Sequence, residues 1–202
     1  MTLLVSALFD REIAVAMDTY AAGGDGTHYT KCWAPKSGQF IVAGTGLFDV
    51  VGPWLAHVEQ MPAPTTASDI VEMTPAYLAG RHATLIAEHP DAARFHTTGF
   101  VYSFDADRRS PVRESFSSRN NFDSKRYART GFGIFPEVTF PAAWHITGLA
   151  NTDTDLMKIA RHAAVECDRD TGTEVHIDGD LRVIRITPRG LQAAGTVGRI
   201  RA

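Results

Sequence analysis

Cysteine is scarce: Cys32 and Cys167 are the only two among 202 residues. Two such thiols make no disulfide framework, and this usage fits a reducing, cytoplasmic setting. Long apolar runs are also lacking. No stretch approaches the ~18–20 residues of a membrane span, and the start has neither the charged n-region nor the apolar core of a secretory signal. Positive charge is not in excess, since 20 Lys and Arg stand against 23 Asp and Glu for a net charge of −3. A global basic field for nucleic acid or an anionic membrane is thereby excluded. The eight histidines show no ligand spacing; Arg81-His82 and Glu88-His89 lack a His-x-x-x-His pattern, so neither metal nor cofactor is expected. Internal repeats and low-complexity tracts are absent as well. What is present is 44% apolar and 21% charged residues, ordinary for a globular protein. That length buries one good core and does not require two, so one domain over residues 1–202 is expected.

The apolar pattern then orders the chain. Residues 2–8 and 13–17 are short apolar runs around the polar Phe9-Asp10-Arg11-Glu12, which reads as a β-hairpin ending at Asp18. Residues 21–27, with Gly23, Gly24 and Gly26, form a loop; without Gly-Lys-Ser/Thr or a βαβ context it is no phosphate loop. Strands over 29–33 and 39–43 flank Pro35-Lys36-Ser37-Gly38, strong turn chemistry. Leu47, Val50, Val51, Trp54, Leu55 and Val58 recur at helical spacing. A second helical region covers 68–89, with Thr74-Pro75 expected to restart a helix inside it. Strands are expected over 98–104 and 112–116, and residues 117–148 carry little pattern. A helix over 155–167 places Leu156, Ile159, Ala160, Ala163, Ala164 and Cys167 on one face. Strands over 173–177 and 181–187 follow, separated by Asp178-Gly179, a two-residue hairpin signal. Strands, two helices, strands, a helix and strands, in that order, suit an α+β protein: an αββα sandwich of two antiparallel sheets between helix layers.

The N-terminus carries the chemistry. Removal of Met1 by an aminopeptidase would leave Thr2 as a free N-terminal threonine. Its hydroxyl can attack a carbonyl, and its α-amine, with an unperturbed pKa of roughly 7.7–8.0, can take the proton. Taken singly, Asp18 reads as a strand-end residue, Lys31 as a solvated strand lysine and Asp168 as a loop residue after a helix. Cys32, next to Lys31, points to the opposite strand face and reads as a core residue; Cys167 reads the same way. Arg108, Arg109, Arg113, Arg119, Lys125, Arg126 and Arg129, interleaved with Phe116, Phe122 and Tyr127, form a basic stretch. Diluted by Asp107, Glu114 and Asp123, it reads as a solvated or subunit-contact segment rather than a nucleic-acid site.

Taken together, several residues resemble the proteasome β-subunit and HslV branch of the N-terminal nucleophile (Ntn) hydrolases. Thr2 opens strand one, Asp18 ends Ile13-Ala14-Val15-Ala16-Met17-Asp18, and Lys31 opens the third strand. Phe40-Ile41-Val42-Ala43-Gly44 then leads into a helix with Asp49 near its start, and Asp168-Arg169-Asp170-Thr171-Gly172 is similar to the family's Asp-x-x-Ser-Gly element. The resemblance covers residues 2–60 and 153–190. It implies Thr2 as nucleophile with its own amine as base, Lys31 beside the hydroxyl and Asp18 fixing Lys31. It further implies the N–H of Gly44, or alternatively Gly46, as oxyanion donor, with Asp168 and Thr171 orienting the amine. Ser117-Ser118 and Thr147-Gly148 are the candidates for the family's Gly-Ser-Gly element. The activity implied is a threonine-type peptidase or amidase acting on a peptide or small amide, in a homo-oligomer. The alternatives are a proteasome-like scaffold without turnover, or hydrolysis of small acyl-amides.

Overall fold

The computed structural model describes residues 2–20, 30–105, 107, 110–141, 144, 152–170 and 176–201. Within them, β1 (Leu4–Phe9) and β2 (Glu12–Asp18) form the expected hairpin, followed by β3 (Cys32–Trp33) and β4 (Phe40–Thr45). Helices α1 (Phe48–Gln60) and α2 (Ala67–Glu88) precede β5 (Thr98–Phe104), β6 (Pro111–Ser117), β7 (Ser124–Tyr127) and β8 (Gly131–Phe135). Helix α3 (Asp153–Arg169), β9 (Asp180–Thr187) and β10 (Gly190–Arg199) complete the order.

The strands make two five-stranded antiparallel sheets, ordered β10-β9-β2-β1-β8 and β3-β4-β5-β6-β7. Successive side chains of a strand face opposite ways, and here both faces are apolar. Leu4, Leu8, Ile13, Val15 and Met17 meet Ile41, Ala43, Phe100 and Tyr102 between the sheets. From the other face of β1 and β2, Val5, Ala7, Ala14 and Ala16 pack against Leu156, Ile159, Ala160 and Ala163 of α3. On the far side of the second sheet, Phe40, Val42 and Val101 pack against Val50, Trp54, Ile70 and Leu78 of α1 and α2. Three apolar layers between four structural layers give the expected αββα sandwich.

The helices are fixed by local chemistry. Thr66 and Asp69 make a capping box at the start of α2, and Thr152 and Asp155 make another at α3. The α3 box places its first turn two residues before the apolar periodicity begins. Pro75 does not restart a helix, because α2 runs through it unbroken. Burial of Ile70, Thr74 and Leu78, each 0% exposed, outweighs the lost backbone bond. The Thr74 hydroxyl donates to the Ile70 carbonyl at 2.6 Å and accepts from the Trp54 indole at 3.1 Å, joining α2 to α1. Pro53 inside α1 has no N–H for the Asp49 carbonyl, which instead accepts from Arg81 of α2 at 3.3 Å.

Two further strand expectations change. The third strand is cut to two residues, with Tyr29 outside the described region. The last hairpin turns at Pro188-Arg189 between β9 and β10 rather than at Asp178-Gly179, and most of the strand expected over 173–177 lies outside the described residues. At the end of the sandwich where β9 meets β10, two turns interlock. A Cβ at Gly38 (φ +61°) would lie 1.7 Å from the Leu191 nitrogen, and one at Gly190 (φ +125°) 2.6 Å from the Ser37 carbonyl oxygen. Among the described residues no helix is long and apolar enough to cross a membrane.

The Trp54–Thr74 link yields a stability test. Thr74→Val keeps the volume but strands the buried indole N–H, and should lower the unfolding free energy by about 1–3 kcal/mol. Urea titration measures it; an unchanged midpoint would show that the bond contributes nothing net.

Candidate active site

Strand register determines what stands beside Thr2. Leu4 pairs with Met17 and Val5 with Ala16, which puts Asp18 next to the residues just before β1. The Leu3 N–H donates to Asp18 Oδ1 at 2.9 Å. The same oxygen accepts from Lys31 Nζ at 3.3 Å. Lys31 immediately precedes β3 in the other sheet, so this ion pair bridges the two sheets at the end where Thr2 lies. Lys31 Nζ also donates to the Tyr20 carbonyl. Thr2, Asp18 and Lys31 are 6%, 1% and 5% exposed.

Burial governs the electrostatics. It raises the Asp18 carboxyl to about 6, against the opposing pull of Lys31 and the Leu3 N–H, and it lowers the Lys31 ammonium against the pull of Asp18. Both groups are driven toward their neutral forms. A lysine lowered in this way gives up its proton more readily than a solvated one, and the neighbouring Asp18 carboxylate is what favours its charged form. Cys32, on the opposite face, is fully buried between the sheets, and burial pushes its thiol up to about 12, which suits a core residue and not a nucleophile.

The other expected residues fall differently. The Gly44 N–H donates to the Lys31 carbonyl at 3.1 Å, extending the β3–β4 ladder by one bond. Gly44 also has a packing reason: a Cβ would lie 2.2 Å from Cγ1 of Val51 on α1. Gly46, the alternative, lies one residue past the end of β4. Asp168 belongs to the last turn of α3, and both its carboxylate oxygens are held by Arg201, at 2.7 and 2.9 Å. That guanidinium holds the carboxyl below its usual range and ties Asp168 to the chain after β10. Thr171 lies outside the described residues, as do Thr147 and Gly148. Ser118 Oγ accepts from the Thr97 N–H at 3.1 Å and Ser117 Oγ from the Arg119 N–H at 3.3 Å, which are local loop bonds. Of the basic stretch, Phe116 and Phe122 are buried in the core and Arg126 pairs with Glu114 at 2.9 Å, while Tyr127 stays exposed beside Arg113, and Arg108 and Arg109 lie outside the described residues. Among the described residues no group of three His, Cys, Asp or Glu could hold a metal.

Two contributors had no sequence signal or a faint one. Tyr20 acts through its carbonyl, which residue type does not reveal. Arg182 of β9 reaches Thr30, beside Lys31, at 3.3 Å. A charge inside the apolar run Leu181-Arg182-Val183-Ile184 was its only mark.

Comparison with solved structures adds the relatives of this architecture. A (Gly-1) mutant of Anbu from Hyphomicrobium sp. strain MC1 superposes with a TM-score of 0.55 at 13% identity, over 98% of this chain and 87% of that one. The fold is proteasome-like. Anbu from the same strain gives 0.53 at 13% identity, and Anbu (ancestral beta-subunit) from Yersinia bercovieri gives 0.57 at 11%, each over 97% of this chain and 87% of the other. At such identities the likeness speaks for the fold. No protein-family model and no curated protein matches the chain.

The raised Asp18 carboxyl has a pH signature. A carboxyl near 6 when folded and near 3.9 when unfolded binds its proton more tightly in the folded state. Its favourable contribution is present below the unfolded value and is lost as pH rises through about 6, a swing of up to about 3 kcal/mol. Asp18→Asn abolishes that slope, so the destabilisation it causes should shrink between pH 4 and pH 7. Urea midpoints of both proteins across that range measure it, and a constant difference would contradict a carboxyl titrating near 6.

Proposed function

We propose that this chain is a proteasome-like Ntn hydrolase of the threonine type, cleaving peptide or small amide bonds after Met1 is removed. The observation that carries the reading is the sharing of Asp18 Oδ1 between Lys31 Nζ and the Leu3 N–H, directly beside Thr2. In the proposed reaction the Thr2 hydroxyl attacks the substrate carbonyl while its proton passes to the α-amine. Lys31 lies on the side of the hydroxyl and favours the alkoxide; Asp18 positions Lys31. Gly46 takes the role of oxyanion donor in place of Gly44, whose N–H bonds the Lys31 carbonyl, a contribution typically worth ~10²–10³ in rate. Collapse of the tetrahedral adduct breaks the C–N bond, the protonated amine returns its proton to the leaving nitrogen, and an ester to Thr2 remains. Water, deprotonated by the same amine, then hydrolyses the ester. The proposed setting is a homo-oligomer in the cytoplasm.

A second reading, a proteasome-like scaffold without turnover, is favoured by two observations: the engaged N–H of Gly44 and the full commitment of Asp168 to Arg201.

Labelling separates the two. After processing, an intact mass lacking Met1 and covalent modification by a peptide epoxyketone are expected, with modification lost in both Thr2→Ala and Lys31→Ala. Labelling that survives Thr2→Ala would overturn the assignment. A processed, assembled protein that never labels and hydrolyses neither fluorogenic peptides nor N-acyl amides would establish the scaffold.

A further inference from the structure

Guanidinium groups stay charged at any physiological pH, and several in this protein are matched by acids, whereas Arg182 of β9 reaches, among the described residues, only the Thr30 hydroxyl. Arg185 meets Glu12 and Asp153, Arg201 meets Asp168, and Arg126 meets Glu114. Among the described residues Arg113 has no acid either, and unlike Arg182 it lines a cavity. It stands on β6 directly across from Tyr102, whose ring belongs to the layer between the sheets, so its side chain enters the same layer. Its guanidinium carbon lies 4.5 Å from the centroid of the Tyr127 ring. Its far end reaches the first sheet: a Cβ on Gly133 of β8 would lie 3.0 Å from both Arg113 Nη1 and Ser6 Oγ. Its Nε is buried without a hydrogen-bond partner, and among the described residues no acid pairs with it. Arg129, which is exposed, likewise has no ion-pair partner among the described residues.

These two arginines line one cavity of about 260 Å³, together with Thr130, Tyr127, Leu8 and Phe132. Among the described residues no carboxylate lines it. Leaving a half-buried guanidinium without a counter-charge is costly, and a planar fork of donors matches an oxyanion by two parallel bonds. We propose that this cavity binds a small organic oxyanion, a carboxylate or phosphate ester, with Arg113 as the inner anchor and Arg129 closing on it from the rim. Leu8, Phe132 and Tyr127 supply apolar walls for the body of such a ligand, and Thr130 a hydroxyl donor. Leu8 is six residues from Thr2 along β1, roughly 20 Å at strand spacing, so this is a second site that stands whether or not Thr2 is catalytic.

Titration of the purified protein with phenyl phosphate, benzoate and sodium chloride at matched ionic strength tests it, by calorimetry and by thermal unfolding. One of the two organic anions should bind saturably and raise the melting temperature beyond the chloride effect; which one does so distinguishes the phosphate from the carboxylate source. Arg129→Gln, a change at an exposed position, should weaken binding about tenfold or more, and Arg113→Gln should abolish it. If Arg113→Gln fails to fold, the Arg129→Gln result decides alone. Binding no stronger than chloride, or binding unchanged in Arg129→Gln, overturns the proposal. Loss of self-association in Arg129→Gln without any anion binding by the parent also overturns it, by assigning the counter-charge to a second copy of the chain.

Discussion

Everything at the N-terminal end of the sandwich depends on keeping a carboxylate and an ammonium out of water together. Either ion buried alone would cost several kcal/mol. Asp18 is tolerable because Lys31 and the Leu3 N–H share one of its oxygens, and Lys31 because it also donates to the Tyr20 carbonyl. These groups come from the entry to β1, the end of β2 and the approach to β3. Matching their charges therefore sets where the first residues of the chain lie and how closely the two sheets approach at that end. Thr2 inherits its place from this arrangement rather than from contacts of its own that residue type would announce.

The rest of the architecture follows from a different requirement, that β1, β2 and β4 bury both faces. A two-sided apolar strand needs a layer on each side, and the chain provides the other sheet on one and helices on the other. Arg185, on the α3 side of β9, carries a charge into this scheme and is matched by Glu12 and Asp153, which ties the first turn of α3 to the sheet. Polar groups thus occur in the interior where they join elements distant in sequence.

Legibility in the sequence followed the same division. The runs of β1, β2 and β4 and the spacing of α1 were readable because their burial imposes a period. Strand β7 was not, since Ser124–Tyr127 is exposed at every position and needs no apolar alternation. Strand β10, rich in small uncharged residues and exposed along most of its length, left no period either. Pro75 misled because local backbone chemistry points to a break that tertiary burial overrides. In the site, Thr2, Asp18 and Lys31 could be placed by their positions relative to strands. The engagement of Gly44 with Lys31 and the clamp of Arg201 on Asp168 could not, because each depends on which distant segment becomes a neighbour.

The interlocked turns at Gly38 and Gly190 give the sandwich a bound spine. With no room for a single Cβ between them, the two sheets are riveted at the end remote from Thr2. The sheets therefore meet backbone against backbone at that end, where side chains are left out of the contact. The free fore-edge of this book is the end where Lys31 reaches across to Asp18. One end of the sandwich is thus closed by backbone against backbone and the other by a long side chain reaching a carboxylate, so the spacing of the sheets near Thr2 rests on the length of a lysine.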